Sequence, residues 1–429
     1  MTNGATGTHS NANQPTGKVR VIMYDVGFGD SFLLSFEYKD GTFRHVLIDC
    51  GTRTETAAYM TQVVDQIKQD CGGKLHALVV THRHLDHLSA FGSEQTGPAL
   101  EELQPDLVVQ PWTEHPDAAA NASEAPSVFT NAALVHLKSL AAAQGFAQQL
   151  ASDPGRLLDG VDPDARRGLG FVAALSLHNQ QAVDRLANMG TQRAYVYANS
   201  ESGLDSVLPG VRVTVLGPPT LEQSKDIRHE ASDGGDEFWK LWAQLASPGD
   251  GQPPQSGGRS RLFPDASMCP VAEAASYVKW AINRLDRANE QNVNRLVTAL
   301  DKALNNTSVV LLFEVAGKAL LFPGDAQVEN WEYGAQCAGA AEGLPTTNLY
   351  KVGHHGSGNA TPKQLLWERF LNRKATAEPG RLITLLSTRQ NQYPGRVPRK
   401  SLVKALQAET DFHTTEAFAQ DELSATYVL

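Results

Sequence analysis

The residues of this 429-residue chain that could do chemistry are concentrated in one short segment, Thr81–Leu88. It contains three of the chain's 13 histidines and an aspartate, at His82, His84, Asp86 and His87. These positions do not share one helix face, but on a loop their side chains can converge on metal ions. Imidazole and carboxylate ligands suit Zn²⁺ and also Mn²⁺ or Fe. The segment therefore predicts a metal site.

The surrounding sequence predicts that this segment lies at the end of a strand. Leu75–Val80 is an apolar run that indicates a buried strand, and the segment follows it directly. Thr54–Gln69 has the apolar spacing of a helix and is followed by a Gly-Gly stop. Strands are also predicted upstream at Val19–Asp25, Ser31–Tyr38 and His45–Asp49. This β-β-β-α-β order places the segment where open α/β sheets commonly bind ligands.

Two later motifs carry further candidate ligands. Asp325 ends a Phe-Pro-Gly-Asp sequence, and His354 and His355 are followed by a glycine. Both motifs come after sheet-like segments, so their side chains are also expected at strand ends. The late strands are predicted at Val309–Val315, Ala319–Phe322, Leu349–Val352 and Leu382–Leu386.

The middle of the chain is less regular. Leu107–Gln110 and Val211–Leu216 predict strands, but Ala-, Gln- and Leu-rich stretches predict helices, and no internal repeat is visible. We expect a mainly helical insertion at about 115–304 within a single domain over residues 19–429. Residues 1–18, rich in Thr, Asn, Gly and Ser, are predicted to be a flexible leader.

The order of the motifs resembles the metallo-β-lactamase fold superfamily. His-x-His-x-Asp-His at 82–87 is the hallmark of that fold. Asp49 resembles the superfamily's first motif, an aspartate that orients the ligand loop, and Asp325 resembles the aspartate that bridges two metals. Val352–Ser357 resembles the final histidine motif. The resemblance implies an α/β fold, the metallo-β-lactamase-like αββα sandwich, with the large mostly helical insertion added.

One branch of the superfamily is more similar than the rest, the branch typified by the cytoplasmic hydrolase domain of the bacterial competence DNA-uptake channel. The similarity covers about residues 19–90 and 305–405. None of the channel's membrane spans has a counterpart here, so we expect a free-standing relative. The similar segments are Tyr24–Ser31, Asn305–Ser308, Pro323–Ala326, Lys351–Ser357 and Asn391–Pro394.

The resemblance implies two divalent metal ions, Zn²⁺ in the first place and Mn²⁺ as the alternative. Water held by such cations loses a proton near neutral pH, so the implied chemistry is metal-assisted hydrolysis. The implied ligands are His82 and His84 for the first metal, Asp86, His87 and His355 for the second, and Asp325 for both.

Further residues are implied in catalysis or in substrate contact. Asp86 is expected to act in catalysis as well as in metal binding. His354 is expected to donate to the substrate or leaving group, but the sequence does not decide whether His354 or His355 is the ligand. The residues expected to orient ligands or contact substrate are Asp49, Asn305, Ser357 and Arg396.

Two positions depart from the superfamily's pattern. Many members have a third histidine for the first metal where this chain has Asn305, so we expect a weak or water-rich first site, or one completed by His178 or His229. The competence-like branch has a histidine after its Asn-x-Tyr that is missing here. Arg396 is expected to contact substrate in its place, which would change substrate choice.

The net charge of −10, from 37 Lys and Arg against 47 Asp and Glu, argues against coating nucleic acid or membrane through bulk charge. The charge is uneven, however. Residues 361–404 contain ten basic residues and two acidic ones, a local charge of +8 that leaves −18 elsewhere. Such a segment could hold a phosphate-bearing substrate, although a solvated helix face with scattered loop charge explains it equally well.

Three functions remain open from the sequence. The first is a phosphodiesterase or nuclease, and the second is a hydrolase of a lactone, thioester, β-lactam or small phosphoester. The third is a partner-binding module with a residual metal site. The four cysteines are widely spaced, no signal peptide is recognisable, and no apolar run reaches the roughly 18 residues of a membrane span. We therefore expect a cytoplasmic protein without a membrane partner.

Overall fold

A computed structural model describes residues 14–115, 180–220, 223–224, 305–374, 379–389 and 397–429. This part of the chain is mixed α/β, with two mixed sheets. Its strands are β1 (Pro15–Tyr24), β2 (Phe32–Tyr38), β3 (Phe43–Ile48), β4 (Ala77–Val79), β5 (Leu107–Pro111), β6 (Gln192–Val196), β7 (Arg212–Gly217), β8 (Val310–Val315), β9 (Lys318–Phe322), β10 (Thr347–Lys351), β11 (Ile383–Leu386), β12 (Asp411–Thr414) and β13 (Ser424–Val428). Its α-helices are Ala57–Asp70, Leu85–Gly92, Gly97–Glu101, Gln180–Leu186, Leu204–Val207, Val328–Gly334, Ala338–Gly343 and Lys400–Glu409.

The first sheet has the strand order β13-β1-β2-β3-β4-β5-β6. Strands β13 to β3 pair antiparallel, and β3 to β6 pair parallel. In the turn between β2 and β3, the Asp40 carboxylate accepts the Thr42 N–H at 2.9 Å and Gly41 is left-handed. The helix Ala57–Asp70 makes the crossover that the parallel pairing of β3 with β4 requires.

The second sheet repeats this plan. Its order is β12-β11-β10-β9-β8-β7, with β7 to β9 antiparallel and β9 to β12 parallel. In each sheet three consecutive strands, β1–β3 or β7–β9, pair antiparallel and continue into a parallel group, and the first sheet has β13 as an additional antiparallel edge strand. The repeat was not visible in the sequence because it is a repeat of strand order and not of residues.

One hydrophobic cluster contains residues of both sheets. Phe32 and Leu34 of β2 belong to it, whereas Leu33 packs in a second cluster with the helices beside the first sheet. This division follows the two-residue period of a strand. Phe32 meets Phe322 of the second sheet edge to face, with ring centroids 5.8 Å apart. A third cluster joins the second sheet to its own helices.

Residues 180–220 differ from the predicted insertion at about 115–304. They add β6 to the edge of the first sheet and β7 to the edge of the second, so this stretch belongs to the sheets. The predicted strand Val211–Leu216 coincides closely with β7. We missed β6 because its Gln-Arg-Ala-Tyr-Val sequence is polar and partly exposed, as a sheet edge allows. The remainder of the predicted insertion lies outside the described residues.

The first strand begins at Pro15, four residues earlier than predicted. It thus includes the last residues of the segment that we expected to be a flexible leader, and residues 1–13 lie outside the described ranges. Within the described part of the chain, no helix has both the length and the apolar character needed to cross a membrane.

Candidate metal centre

The candidate ligands come from loops that follow strands in both sheets. Asp49 follows β3, and the segment Thr81–Leu88 follows β4 and continues into the helix Leu85–Gly92. Asp325 follows β9, and His355 follows β10. Carboxyl ends of strands from the two sheets therefore meet around one group of side chains, at the kind of position where α/β folds bind ligands.

Four of the predicted ligands form a compact, buried group. The ligand atoms of Asp86, His87, Asp325 and His355 all lie within 4.8 Å of one another. Asp325 Oδ2 is 3.2 Å from His87 Nε2 and 3.6 Å from His355 Nε2. Asp86 Oδ2 is 3.1 Å from His355 Nε2. This group, called here the quartet, could hold a metal ion, because two imidazoles and two carboxylates suit Zn²⁺ or Mn²⁺.

His82 and His84 lie beside the quartet and not within it. His82 Nε2 is 4.0 Å from Asp325 Oδ2 and 3.0 Å from His84 Nδ1, and both side chains are buried. Burial, followed by the neighbouring His87 and His84, holds the pKa of His82 well below its usual range. His82 is therefore neutral, which is the form of imidazole that binds metals.

Asp49 lies behind His87. Its carboxylate accepts the backbone N–H and the hydroxyl of Thr81 at 2.8 and 2.7 Å, and it faces His87 Nδ1 at 2.8 Å. With Nδ1 held in this way, His87 turns Nε2 towards Asp325. A carboxylate behind a ligand histidine fixes the ring's orientation and raises its basicity.

The two consecutive histidines take different positions. Both have left-handed backbones, with φ of 47° at His354 and 49° at His355, a conformation that costs non-glycine residues free energy. His355 is buried, and its Nδ1–H donates to the Ser387 carbonyl at 3.0 Å. The His354 side chain is 21% exposed, with Nε2 3.9 Å from Asp325 Oδ2. The structure thus places His355 in the quartet and His354 at its rim.

Sequence reasoning missed three residues of the site, and the first two are Asp30 and Lys351. Both are buried, and their side chains form an ion pair. The Lys351 ammonium also donates to the Gly324 carbonyl at 3.1 Å and lies 3.7 Å from Asp325 Oδ1. Burial lowers the pKa of Lys351, but Asp30 and Asp325 outweigh it, so the net shift is upward and the amine stays charged. The available signal was a lysine within the predicted strand Leu349–Val352.

Arg53 is the third missed residue. Its Nη2 is 3.2 Å from Asp86 Oδ1, and its side chain is 12% exposed. Burial raises the pKa of Asp86, but Arg53 and then the hydrogen bond with His355 outweigh that effect and hold it well below the usual range. Asp86 is therefore ionised and in contact with both a histidine and a guanidinium.

The remaining quartet members share charge in the same way. Burial raises the pKa of Asp325, but His87 and His355 outweigh it and hold it well below its usual range. Burial lowers the pKa of His87, but Asp325 and Asp49 raise it well above normal. Each carboxylate therefore stabilises a positive charge on its neighbour. A divalent cation could replace the histidine protons, since metal binding to histidine displaces protons.

The other predicted site residues contact the quartet less directly. Asn305 is fully buried, and its side-chain oxygen and nitrogen have no hydrogen-bond partner among the described residues. Its turn is tied to the site, because the Asp325 N–H donates to Ser308 Oγ at 3.2 Å. The Ser357 hydroxyl donates to Asn359 Oδ1, away from the quartet. The remaining candidates lie outside the described residues and are His178, His229 and Arg396.

The basic segment 361–404 is largely occupied by contacts within the chain. Arg389 pairs with Asp25 and Glu55, and Arg373 pairs with Glu409. Further basic side chains bind a carboxylate or backbone carbonyls, namely Lys363, Arg369 and Arg381. Several basic side chains of this segment are therefore already engaged within the chain, and its local charge of +8 overstates what it offers to a phosphate-bearing substrate.

No model of a known protein family matches the sequence, and no curated protein matches it. The fold and the site together define an α/β protein with a buried His/Asp cluster that could hold a metal ion.

Proposed function

We propose that this protein is a metal-dependent hydrolase of the metallo-β-lactamase fold superfamily that cleaves phosphodiesters, in nucleic acid or in nucleotides. The observation that carries the proposal is the quartet, in which loops from both sheets bring Asp86, His87, Asp325 and His355 together with His82 and His84 beside them.

The arrangement of the sheets supports the fold assignment. Residues of both sheets share one cluster, and each sheet packs helices through a further cluster. Such clusters are what the proposed αββα sandwich, with ligand loops at strand ends, would require. The order of ligands along the chain is also the order expected for the superfamily.

The site's own residues suit hydrolysis. Bound Zn²⁺ or Mn²⁺ would supply Lewis acidity and lower the pKa of water to about 7. Asp49 holds His87 in the orientation needed for binding, and Asp325 faces histidines of both proposed metal sites. We propose that His354, whose side chain is partly exposed beside the quartet, holds or donates a proton at the leaving group.

The geometry favours unequal metal sites. The quartet offers four ligand atoms within 4.8 Å, whereas His82 reaches Asp325 only at 4.0 Å and Asn305 replaces a histidine. We propose that one ion binds tightly at the quartet and a second binds more weakly beside His82 and His84.

A second candidate is a hydrolase of small molecules, including small phosphoesters, lactones, thioesters and β-lactams. The contacts of the basic segment 361–404 favour this second candidate. Several of the segment's basic side chains bind groups within the chain, so fewer of them could bind a long nucleic acid.

The test compares wild type with Asp325→Asn and His84→Ala on bis-p-nitrophenyl phosphate, in Zn²⁺ and in Mn²⁺. Both variants should lose turnover by at least about a hundredfold, because oriented ligands and charge stabilisation contribute that much. His413→Ala is the matched control, since His413 pairs with Asp411 outside the site. Circular dichroism checks the fold, and elemental analysis gives the metal per chain.

Several results would contradict the proposal. If the wild type does not hydrolyse bis-p-nitrophenyl phosphate with either metal, the proposal of phosphodiester hydrolysis fails. Activity only on small esters selects the second candidate. Less than one tightly held ion per chain supports a partner-binding module with a residual metal site.

A further inference from the structure

We propose that Arg53 is the anion-binding residue of this site and makes it select substrates with a negatively charged phosphoryl group. This inference rests on the proposed hydrolase function, which it deepens by naming the residue that recognises the substrate class.

Arg53 lies at the wall of the quartet. Its Nη2 contacts one carboxylate oxygen of Asp86 at 3.2 Å, and the other oxygen of Asp86 faces His355 at 3.1 Å. The Asp86 side chain is 2% exposed and the Arg53 side chain 12%. The Arg53 guanidinium therefore lies directly beside a buried candidate ligand, and a small part of its side chain is exposed to solvent.

The loop that carries Arg53 is held at several backbone points. The Arg53 N–H donates to the Phe28 carbonyl at 2.8 Å, and the Phe28 ring lies 4.4 Å from the His355 ring. On the preceding side, the Thr52 N–H donates to Ser89 Oγ at 2.8 Å. Because these contacts fix the loop, little conformational entropy is lost when the side chain binds an anion.

The chemistry of the pair points to an anion. Guanidinium is planar and presents its donors in a fork that matches two phosphate oxygens. A divalent cation bound by Asp86 would share that carboxylate with Arg53, and two positive charges in a buried site repel each other. A phosphate beside both would neutralise this repulsion, whereas a neutral ester would not. The site should therefore prefer anionic substrates.

Arg83 offers a matched comparison. It lies between two proposed ligands, His82 and His84, but its guanidinium pairs with Glu114 and not with a quartet member. Its side chain is 18% exposed, similar to that of Arg53. Substituting Arg83 removes a nearby positive charge without removing the contact to Asp86, so it separates a specific contact from a general field effect.

The experiment titrates inorganic phosphate into zinc-loaded protein, freed of excess metal, by isothermal titration calorimetry. Arg53→Met should weaken phosphate binding by at least about tenfold, as loss of a charged hydrogen bond predicts. Arg83→Met should change it by less than about threefold, because a charge without direct contact is screened. Arg53→Lys should fall between them, and zinc per chain should be unchanged in every variant.

Kinetics give the second measurement. Arg53→Met should raise KM for bis-p-nitrophenyl phosphate by about tenfold or more and leave kcat/KM for the neutral p-nitrophenyl acetate within about threefold. If Arg53→Met does not fold, the Arg53→Lys comparison with wild type carries the same test.

The possible failures are distinguishable. No measurable phosphate binding by the wild type, or equal weakening by the Arg53 and Arg83 variants, overturns the role of Arg53 even if the protein hydrolyses phosphodiesters. Phosphate binding that depends on Arg53 in a protein without hydrolase activity keeps the anion site and rejects the proposed function.

Discussion

At the scale of single residues, the site combines buried charges of both signs. Four aspartates, Asp30, Asp49, Asp86 and Asp325, are buried there, and Lys351 and Arg53 contact three of them. With neutral histidines the formal charge of this set is −2. A divalent cation would neutralise it, and burial of an uncompensated charge is costly. The carboxylates thus favour cation binding, while the Lys351 ammonium neutralises part of their negative charge without a metal ion.

The Asp30–Lys351 pair yields a prediction about stability. Lys351→Met should lower the free energy of unfolding by about 3–5 kcal/mol, because it leaves a buried carboxylate unpaired. The double variant Asp30→Asn with Lys351→Met should recover a large part of that loss, since neither charge remains. Urea unfolding of Lys351→Met, of Asp30→Asn alone and of the double variant measures the coupling free energy between the two side chains. Additive losses would show that the pair does not interact energetically.

At the scale of elements, the site depends on backbone contacts between two loops and one helix. The Asp30 N–H donates to the Asp86 carbonyl at 2.9 Å, and the Cys50 N–H donates to the His87 carbonyl at 2.8 Å. These contacts bring the loops after β1 and β3 against the start of the helix Leu85–Gly92. Glycine permits the approach, because a Cβ on Gly29 would lie 2.1 Å from the Gly51 carbonyl oxygen.

This close packing predicts the effect of added methyl groups. Gly29→Ala should cost about 3 kcal/mol of stability, because overpacking against backbone cannot be relieved by a side-chain movement. Gly41→Ala is the control: nothing lies within 4 Å of its Cβ, so only the left-handed backbone at φ 80° is penalised, by about 1 kcal/mol. Denaturant unfolding compares them, and equal losses would contradict the packing argument.

At the scale of the whole molecule, stability should respond to acid through a buried histidine outside the quartet. His45 in β3 is buried, with Nδ1 2.9 Å from Ser35 Oγ. Burial, followed by His76 and Arg20, lowers the pKa of His45 to about 4. An unfolded histidine binds its proton near pH 6.5, so between these values the unfolded chain takes up more protons.

His45→Gln tests this linkage. The stabilisation that neutral His45 provides is complete above about pH 6.5 and is lost as the pH falls towards 4, up to about 3 kcal/mol in total. The variant should therefore show a smaller fall in unfolding free energy between pH 7 and 4.5 than the wild type. His413→Gln, a histidine that pairs with Asp411, is the control. Identical pH profiles for wild type and His45→Gln would refute the assignment.

Local signals in the sequence were sufficient for part of this picture. The apolar runs predicted β4, β5, β7 and β8 to β11, because the burial of these strands follows from the apolar character of neighbouring residues. The same local pattern correctly predicted His82 and His84 after a strand and before any helix, but Asp86 and His87, also expected on a loop, lie in the first turn of the helix Leu85–Gly92. Strands β6, β12 and β13 were missed, because these edge strands are partly exposed and lack that apolar signal.

The residue types at the strand ends, and therefore the candidate ligand chemistry, follow from local patterns in the chain. Which of these residues meet depends on how the two sheets pack. Asp86 and His355 are 269 residues apart, and Asp30 pairs with Lys351 from the other sheet. The choice of His355 over His354 depends on a left-handed backbone turn. Such contacts arise from sheet packing and backbone geometry over long separations, which no local pattern of residues encodes.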